Sequence, residues 1–130
     1  MNAIPAEIRR FIIENIDSVA QLEALLLLRG GVGRSWDPPT VAQRLYIQPR
    51  TAAELLRLLH ERELIMLADP TAPAYKYGPA TAERVRLVED LATTYARQLV
   101  AVTQLIHAKA ARNVQGFADA FRLREDKEDK

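Results

Sequence analysis

The segment of residues 37–78 constrains the fold more than any other part of the chain, because its helix and turn signals come in a fixed order. Asp37 can cap a helix, and Pro38 follows at a first helical position, where a missing backbone N–H costs least. Pro49 disfavours helical geometry at Gln48 and therefore predicts a break. A second helix, with leucines at helical spacing, is predicted after the break. The segment thus opens with two short helices joined by a tight turn.

The rest of this segment predicts a β-hairpin. Residues 64–68 form a short apolar run, residues 69–73 are rich in turn formers, and residues 74–77 alternate aromatic and polar side chains. Gly78 ends the pattern. The order helix, turn, helix, strand, turn, strand is that of a winged helix-turn-helix. We therefore predict a mainly α fold with a small β-hairpin as its wing.

Two helices are predicted ahead of this segment. Apolar residues at helical spacing indicate a short amphipathic helix over residues 5–15, which would pack within the domain or across a dimer. Ser18 can cap the second helix, and Gln21 can close a capping box with it. The second helix carries so many leucines that we expect it near the centre of the core.

A glycine-rich connection with the sequence GGVGRS follows the second helix. It lacks the Gly-Lys-Ser/Thr ending of a phosphate-binding loop, and no strand precedes it, so a flexible connection is the favoured interpretation. Residues 34–36 are predicted to form a short strand that pairs with the wing. For Trp36, the only tryptophan, packing in the core or on the wing is favoured over stacking on a ligand.

A long helix is predicted after the hairpin, from Thr81 to about Asn113. Its apolar residues form a heptad seam, which a single long helix on a small domain is expected to bury against a partner helix. The most economical partner is the same helix of a second copy, so we predict a twofold homodimer. The predicted dimerisation residues are Val88, Ala92, Tyr95, Leu99, Val102 and Ile106.

These patterns divide the chain into three parts. Residues 1–78 are predicted to form the winged helix-turn-helix domain with its N-terminal helix. Residues 79–114 are predicted to form the long dimerisation helix, a coiled coil with its copy. Residues 115–130 begin where a glycine interrupts the helix, and are predicted to form a short docking segment and a charged tail. Phe117 and Phe121 share one face of that segment and are candidates for contact with a partner protein.

Composition and charge narrow the functional classes. The chain has no cysteine, which excludes disulfides and thiolate metal sites. Its net charge is only +1, so any DNA contact must come from local clusters of arginine rather than from bulk charge. The N-terminal region lacks a signal-peptide pattern, and the longest apolar run, residues 24–28, is far shorter than the roughly 20 residues of a membrane span. We therefore expect a soluble, cytoplasmic protein without membrane contact.

No catalytic motif is legible in the sequence. His60 and His107 lie far apart, and neither belongs to a metal-binding spacing. Adjacent acids such as Glu89 and Asp90 point to different faces of a helix, so solvated charge is favoured over acid–base catalysis. We therefore expect a protein that is not an enzyme and that uses neither a metal nor a cofactor.

The second helix of the helix-turn-helix, about residues 50–62, is the predicted recognition helix, because this helix enters the major groove of double-stranded DNA. Arginine can bond phosphate or guanine, threonine can contact phosphate or the thymine methyl group, and glutamate can accept from cytosine. The predicted DNA-binding residues are Arg34, Arg44, Arg50, Thr51, Glu54, Arg57 and Lys76. The alternative is a solvated helix face with ion pairs along it, such as Glu54 with Arg57 or Arg57 with Glu61.

Four segments of the sequence resemble the winged-helix transcription regulators of bacteria, in the broad MarR/PadR/ArsR group. They are SVAQLEALLLLR, TVAQRLYI, PRTAAELLRLLHERELI and the YKY hairpin. The third is similar to the recognition helix of these proteins, with Glu63 where the family usually has glycine. The long helix after the wing resembles the PadR arrangement, in which this helix builds the dimer. The resemblance covers about residues 18–78 and implies a homodimer on a palindromic operator, often with a small-molecule effector.

The sequence also fits a second functional class. Some winged helices have lost DNA binding and serve as protein–protein adaptors, a role compatible with the near-neutral charge of this chain. Such an adaptor would bind another regulatory protein through the predicted recognition helix, or through the segment that carries Phe117 and Phe121.

Overall fold

The computed structural model describes residues 3–128, and it describes side-chain positions up to residue 113. This part of the chain is mainly helical, with one small two-stranded antiparallel sheet, an architecture compatible with a winged helix. The elements are, in chain order, α1 (Ala6–Asn15), α2 (Val19–Gly30), α3 (Pro38–Leu45), α4 (Pro49–Glu61), β1 (Ile65–Asp69), β2 (Ala74–Tyr77), α5 (Ala82–Arg97) and α6 (Leu99–Glu128).

Helix α2 lies at the centre of the core, as its leucine content predicts. Leu22, Leu25 and Leu28 are fully buried, and α3 and α4 both pack against this helix. Its start is capped as predicted, because the amide of Gln21 donates to the Ser18 hydroxyl at 3.1 Å. The Gln21 side chain is also buried, so it contributes to the core as well as to the cap.

The buried Gln21 side chain closes the cap in a way that the sequence did not predict. In a standard capping box it would accept from the amide of Ser18. Here its Oε1 accepts from the amide of Asp17 at 2.8 Å, and its Nε2 donates to the carbonyl of Asn15 at 2.9 Å. Both of its polar atoms are therefore satisfied, and the connection between α1 and α2 is held in one conformation.

Helix α1 packs on the chain's own core. Ile8, Phe11 and Ile12 are buried, and the helix contacts both α5 and α6. Of the two roles predicted for this helix, packing within the domain is the one that the structure has. The exposed charges of Arg9 and Arg10 lie on its other side.

The predicted hairpin is present, with β1 one residue later than expected. Ile65 pairs with Tyr77, and Leu67 pairs with Tyr75, before the register shifts towards the tip. Trp36 pairs with β2 through a single antiparallel bridge to Tyr75. Its N–H donates to the Tyr75 carbonyl, and its carbonyl accepts from the Tyr75 N–H, both at 2.7 Å. The predicted pairing of residues 34–36 with the wing is therefore confirmed at Trp36.

The long helix predicted over residues 81–113 is instead two helices. The break is at Gln98, whose φ of −134° and ψ of 51° depart from helical values. Its amide still donates to the carbonyl of Thr94, so α5 ends with a satisfied turn. Because the chain changes direction here, α5 and α6 can both pack against α1.

This break explains why the predicted heptad seam does not form one exposed stripe. Four of the six predicted dimerisation residues are buried in the chain's own core, namely Val88, Tyr95, Val102 and Ile106. Ala92 is partly buried, and Leu99, directly after the break, is 54% exposed. The premise that a small domain cannot bury this seam by itself is therefore wrong.

Helix α6 continues to Glu128, so the interruption predicted at residues 115–116 is not present in the backbone. A domain boundary at residue 115 would lie inside this helix. Phe117 and Phe121 fall outside the residues whose side chains the structure describes, and their docking role stays a prediction.

No helix in residues 3–128 combines the length and the apolar character needed to cross a bilayer.

Candidate nucleic-acid interface

The turn between α3 and α4 sets the angle of the predicted recognition helix. Asp37 caps α3 by accepting from the amide of Thr40 at 2.8 Å, and Tyr46 ends it in the left-handed conformation, with φ 57°. The amide of Ile47 then donates back to the Ala42 carbonyl at 3.1 Å. Tyr46 is 95% exposed, so this residue is held by the turn and not by packing. A left-handed residue lets the chain reverse within one turn of helix.

A second left-handed residue ends the helix-turn-helix. Glu63 has φ 61°, in the region that glycine occupies most easily. This is the position where the resemblance to winged-helix regulators expects glycine. Its carbonyl accepts from the amide of Ala80 at 2.9 Å, which ties the start of β1 to the end of β2. Glu63 therefore adopts a backbone conformation that glycine would adopt most easily.

Helix α4 separates an apolar face from a polar one. Its buried residues are Ala52, Leu55, Leu56 and Leu59, as the helical spacing predicts, and the helix packs against α2 and α3. Its exposed residues are Arg50, Thr51, Ala53, Glu54, Arg57 and Glu61. The four residues predicted on this helix as DNA contacts therefore lie together on one solvent-exposed face, which we call the α4 face.

On the α4 face, the positive charge of Arg57 is paired with two carboxylates. Its Nε donates to Glu54 Oε2 at 3.1 Å, and its two terminal nitrogens bond Glu54 and Glu61. The hydrogen bond from Arg57 holds the pKa of the Glu54 carboxyl below its ordinary value. These ion pairs are the alternative to DNA contact that the sequence analysis predicted. They form because Glu54 and Glu61 lie one helical turn before and after Arg57.

Arg50 and Lys76 differ from Arg57 in their surroundings. Arg50 is exposed in the first turn of α4, and Lys76 is exposed on β2, opposite Met66. Neither forms an ion pair with any carboxylate among the described side chains. Of the arginine and lysine residues on α4 and the hairpin, Arg50 and Lys76 are therefore the two without a carboxylate partner among the described side chains.

The tip of the wing is acidic and ordered by its own hydrogen bonds. Asp69 accepts from both the amide and the hydroxyl of Thr71, at 2.9 and 2.7 Å. These bonds lower the pKa of the Asp69 carboxyl, so it carries a negative charge at neutral pH. The tip offers no cation to a DNA backbone, and Lys76 lies at the base of the hairpin instead.

Arg34 and Arg44 lie together, but at Trp36 instead of on the α4 face. The Arg34 guanidinium carbon is 4.3 Å from the centre of the Trp36 ring system, and that of Arg44 is 5.8 Å away. The groove beside Trp36 is lined by α2, α3 and the connection between them, with no residue from α4. The seven predicted DNA-binding residues thus divide between the α4 face, the hairpin and this groove.

One cluster that the sequence did not predict holds the end of α4 in place. Arg62, directly after α4, bonds Asp17 through Nη2 at 2.7 Å and also donates to the carbonyl of Asn15. Lys109, on α6, donates to the other Asp17 oxygen at 3.0 Å and to the Ile16 carbonyl at 2.8 Å. We call these residues the Asp17 cluster. No local signal marks it, because its members come from three distant parts of the chain.

The two histidines do not form a site. The His60 ring lies 5.6 Å from that of Tyr75, a packing contact beneath the hairpin. Within the described part of the chain, no three histidine, aspartate or glutamate side chains come close enough to hold a metal ion.

Comparison with models of known protein families, with curated proteins and with solved structures finds no match to this chain.

Proposed function

We propose that this chain is a DNA-binding transcription regulator of the winged helix-turn-helix type, with α4 as its recognition helix. The observation that carries the proposal is the α4 face, a polar, solvent-exposed helix face held by a tight turn and flanked by a hairpin. A recognition helix needs such a face, since the major groove accepts one helix and is read by side chains on its first turns.

Arg50 is the proposed principal contact. It lies in the first turn of α4, where recognition helices reach base edges, and it forms no ion pair with a carboxylate among the described side chains. Thr51 and Lys76 would contact phosphates beside it. Glu54 and Arg57 would act as a pair, because Arg57 must exchange a carboxylate for a phosphate or a base before it can bind DNA.

We further propose that the regulator acts as a homodimer, through the part of the heptad seam that stays exposed at Leu99, together with its neighbour Val100. Leu99 and Val100 are 54% and 64% exposed at the start of α6, next to each other. Large apolar side chains that are exposed in this way favour contact with a partner. To bind successive major grooves, such a pair would need its two α4 helices about 34 Å apart.

The dimer is tested by sedimentation equilibrium of the Leu99→Asp variant. We expect the wild-type chain to sediment as a dimer and Leu99→Asp as a monomer, because a carboxylate in the interface would be desolvated. Val32→Asp is the control, since Val32 is equally apolar, is 73% exposed and lies far from α6 in sequence. A dimer that persists in Leu99→Asp would place the interface elsewhere.

A protein–protein adaptor is the second candidate function. It is favoured by the neutralisation of Arg57 and by the acidic tip of the wing, both of which reduce attraction to a phosphate backbone. In this role the α4 face, or the segment with Phe117 and Phe121, would bind another regulatory protein.

A DNA-binding assay over a salt series separates the two candidates. Fluorescence anisotropy of labelled genomic duplexes would be measured between about 50 and 200 mM salt. If Lys76 of each subunit contacts phosphate, the slope of log K against log[salt] should be about −2, and it should approach about −4 if Arg50 neutralises phosphate as well. A regulator gives this slope, whereas an adaptor gives no salt-dependent binding to any duplex.

A further inference from the structure

A groove of about 300 Å³ opens beside Trp36, between the C-terminal end of α2 and α3. Leu26 and Leu27 form its apolar wall, and the guanidinium groups of Arg34 and Arg44 lie over the Trp36 ring. Arg44 also borders a second, mainly apolar pocket of about 430 Å³. The two spaces therefore meet at one arginine, and their sizes are those of sites for small molecules.

The positive charge in this groove has no counter-charge among the side chains that the structure describes. Neither Arg34 nor Arg44 forms an ion pair with a described carboxylate. Five other arginines do so, in the pairs Arg29–Glu89, Arg57–Glu54, Arg62–Asp17, Arg84–Glu63 and Arg86–Glu7. Two guanidinium groups on one ring repel each other, so their shared position favours an anion between them.

The acids nearest to the groove have other partners. Asp37, the neighbour of Trp36 in sequence, uses its carboxylate to cap α3. Glu23, which borders the second pocket, accepts a 2.6 Å hydrogen bond from the Tyr95 hydroxyl. Burial, together with that bond, raises the pKa of Tyr95 to about 12, so the hydroxyl stays a donor to Glu23.

Trp36 itself has an unused donor. The residue is only 2% exposed, and its Nε1 is buried without an acceptor among the described residues. Nearly all buried donors in proteins are hydrogen-bonded, so an unused one marks a place where a partner is missing. A side chain at Gly31, on the wall of the groove, would place its Cβ 3.0 Å from Trp36 Cζ2 and 3.5 Å from Nε1. Glycine at this position keeps that edge of the indole uncrowded.

We infer that this groove binds a small amphipathic oxyanion, a carboxylate or phosphate monoester on a compact apolar body. The oxyanion lies between the guanidinium groups of Arg34 and Arg44, beside the Trp36 ring over which they lie. The apolar body fills the adjoining pocket, against Leu45 and Ile47. This site shares no residue with the α4 face, and the inference does not depend on DNA binding.

The single tryptophan provides a direct readout of the site. Its indole N–H gives one cross-peak in a ¹H–¹⁵N spectrum of the full chain, and that peak can be followed during titration. The probes are octanoate, inorganic phosphate and, as an uncharged control, octanol. We expect a saturable shift with octanoate, a weaker response to phosphate and no saturable shift with octanol.

Variants assign the response to the two arginines. Arg34→Gln and Arg44→Gln should each weaken octanoate binding about tenfold, because each removes a charge-assisted hydrogen bond. Arg10→Gln removes an exposed arginine from α1 and should leave the affinity unchanged. Both groove arginines are exposed, so the variants are expected to fold.

Three results would overturn the inference. One is the lack of a saturable shift with octanoate and phosphate alike. Another is an octanol affinity equal to that of octanoate, which would indicate an apolar pocket without recognition of charge. The third is an equal octanoate affinity in all three arginine variants, which would place the bound anion elsewhere. None of these results bears on binding of duplex DNA to the α4 face.

Discussion

The α4 face and the groove at Trp36 each carry two arginines, yet they hold them in opposite ways. On α4, Arg57 is bonded by Glu54 and Glu61, and only Arg50 is left without a carboxylate. In the groove, neither arginine forms an ion pair with an acid of residues 3–113, and both lie over an aromatic ring. Counting arginines along a chain therefore says little about which positive charges a ligand can use; their partners decide it.

Local geometry explains the difference. Residues three and four positions apart on a helix are neighbours, so Glu54, Arg57 and Glu61 meet wherever α4 forms. Arg34 comes from the connection after α2 and Arg44 from α3, and the fold brings them to Trp36 without an acid in reach. A third arrangement is the Asp17 cluster, in which cations join distant elements and serve the fold.

The largest effect is predicted for a variant that disrupts the Asp17 cluster. Asp17→Ala removes the carboxylate that Arg62 and Lys109 share, and leaves the Lys109 ammonium, only 12% exposed, without its counter-charge. We expect the free energy of unfolding to fall by about 2 kcal/mol in urea titrations. Glu14→Ala, which removes an exposed acid from α1, is the control and should change it by less than about 0.5 kcal/mol. Equal losses in the two variants would show that the cluster does not hold the fold.

The same cluster predicts a pH dependence. Burial alone would raise the pKa of Asp17, but hydrogen bonds from Arg62 and Lys109 outweigh burial and lower it. A lowered folded pKa means that Asp17 stabilises the fold above its unfolded pKa of about 3.9 and loses this contribution as the pH falls through its folded pKa.

This contribution is isolated by comparing the wild type with Asp17→Asn. The wild type should be the more stable at pH 7, and the difference should shrink as the pH falls below about 4. Other acids with lowered pKa values, such as Glu7 and Glu89, are present in both proteins and cancel. A difference that is constant with pH would rule out a charged Asp17 as the cause.

The next effect concerns the α4 face. Glu54→Gln removes a negative charge from this face and frees part of Arg57, so duplex affinity should rise by about two- to fivefold in anisotropy titrations. Glu14→Gln removes an equal charge from α1 and serves as the matched control. Weaker binding of Glu54→Gln would instead favour a direct role for Glu54, such as acceptance from cytosine.

The smallest effect is expected in the groove. Arg34→Gln and Arg44→Gln should each lower the free energy of unfolding by no more than about 1 kcal/mol, the contribution of an exposed cation–π contact. Arg62→Gln, which removes a cation of the Asp17 cluster, should lower it more. If the groove arginines cost as much stability as Arg62, their role is structural and the case for a ligand there fails.

Much of the fold is predictable from local signals in the sequence. The caps at Ser18 and Asp37 mark the starts of α2 and α3, and Pro49 marks the break before the next helix, which in the structure begins at Pro49 itself. The alternation over residues 74–77 identifies β2. Each of these signals depends on residues that are close in sequence, so the local sequence is enough to predict the element.

What the sequence does not reveal depends on contacts between distant residues. The apolar residues do have heptad spacing. The break at Gln98, however, lets the chain bury most of them against α1. The Asp17 cluster joins residues 17, 62 and 109, and no local pattern relates them. The α4 ion pairs could be predicted, as an alternative to DNA contact, because their residues are close in sequence. The position of both Arg34 and Arg44 at Trp36 could not be predicted from the sequence.

The most direct test of the account measures duplex affinity in two variants side by side. In our proposal the α4 face binds DNA and the groove at Trp36 does not. Arg50→Gln and Arg44→Gln each remove one exposed arginine, so they change the net charge equally. We predict that Arg50→Gln weakens duplex binding about tenfold, while Arg44→Gln binds like the wild type. Equal losses in both variants, or a loss in Arg44→Gln alone, would contradict the account.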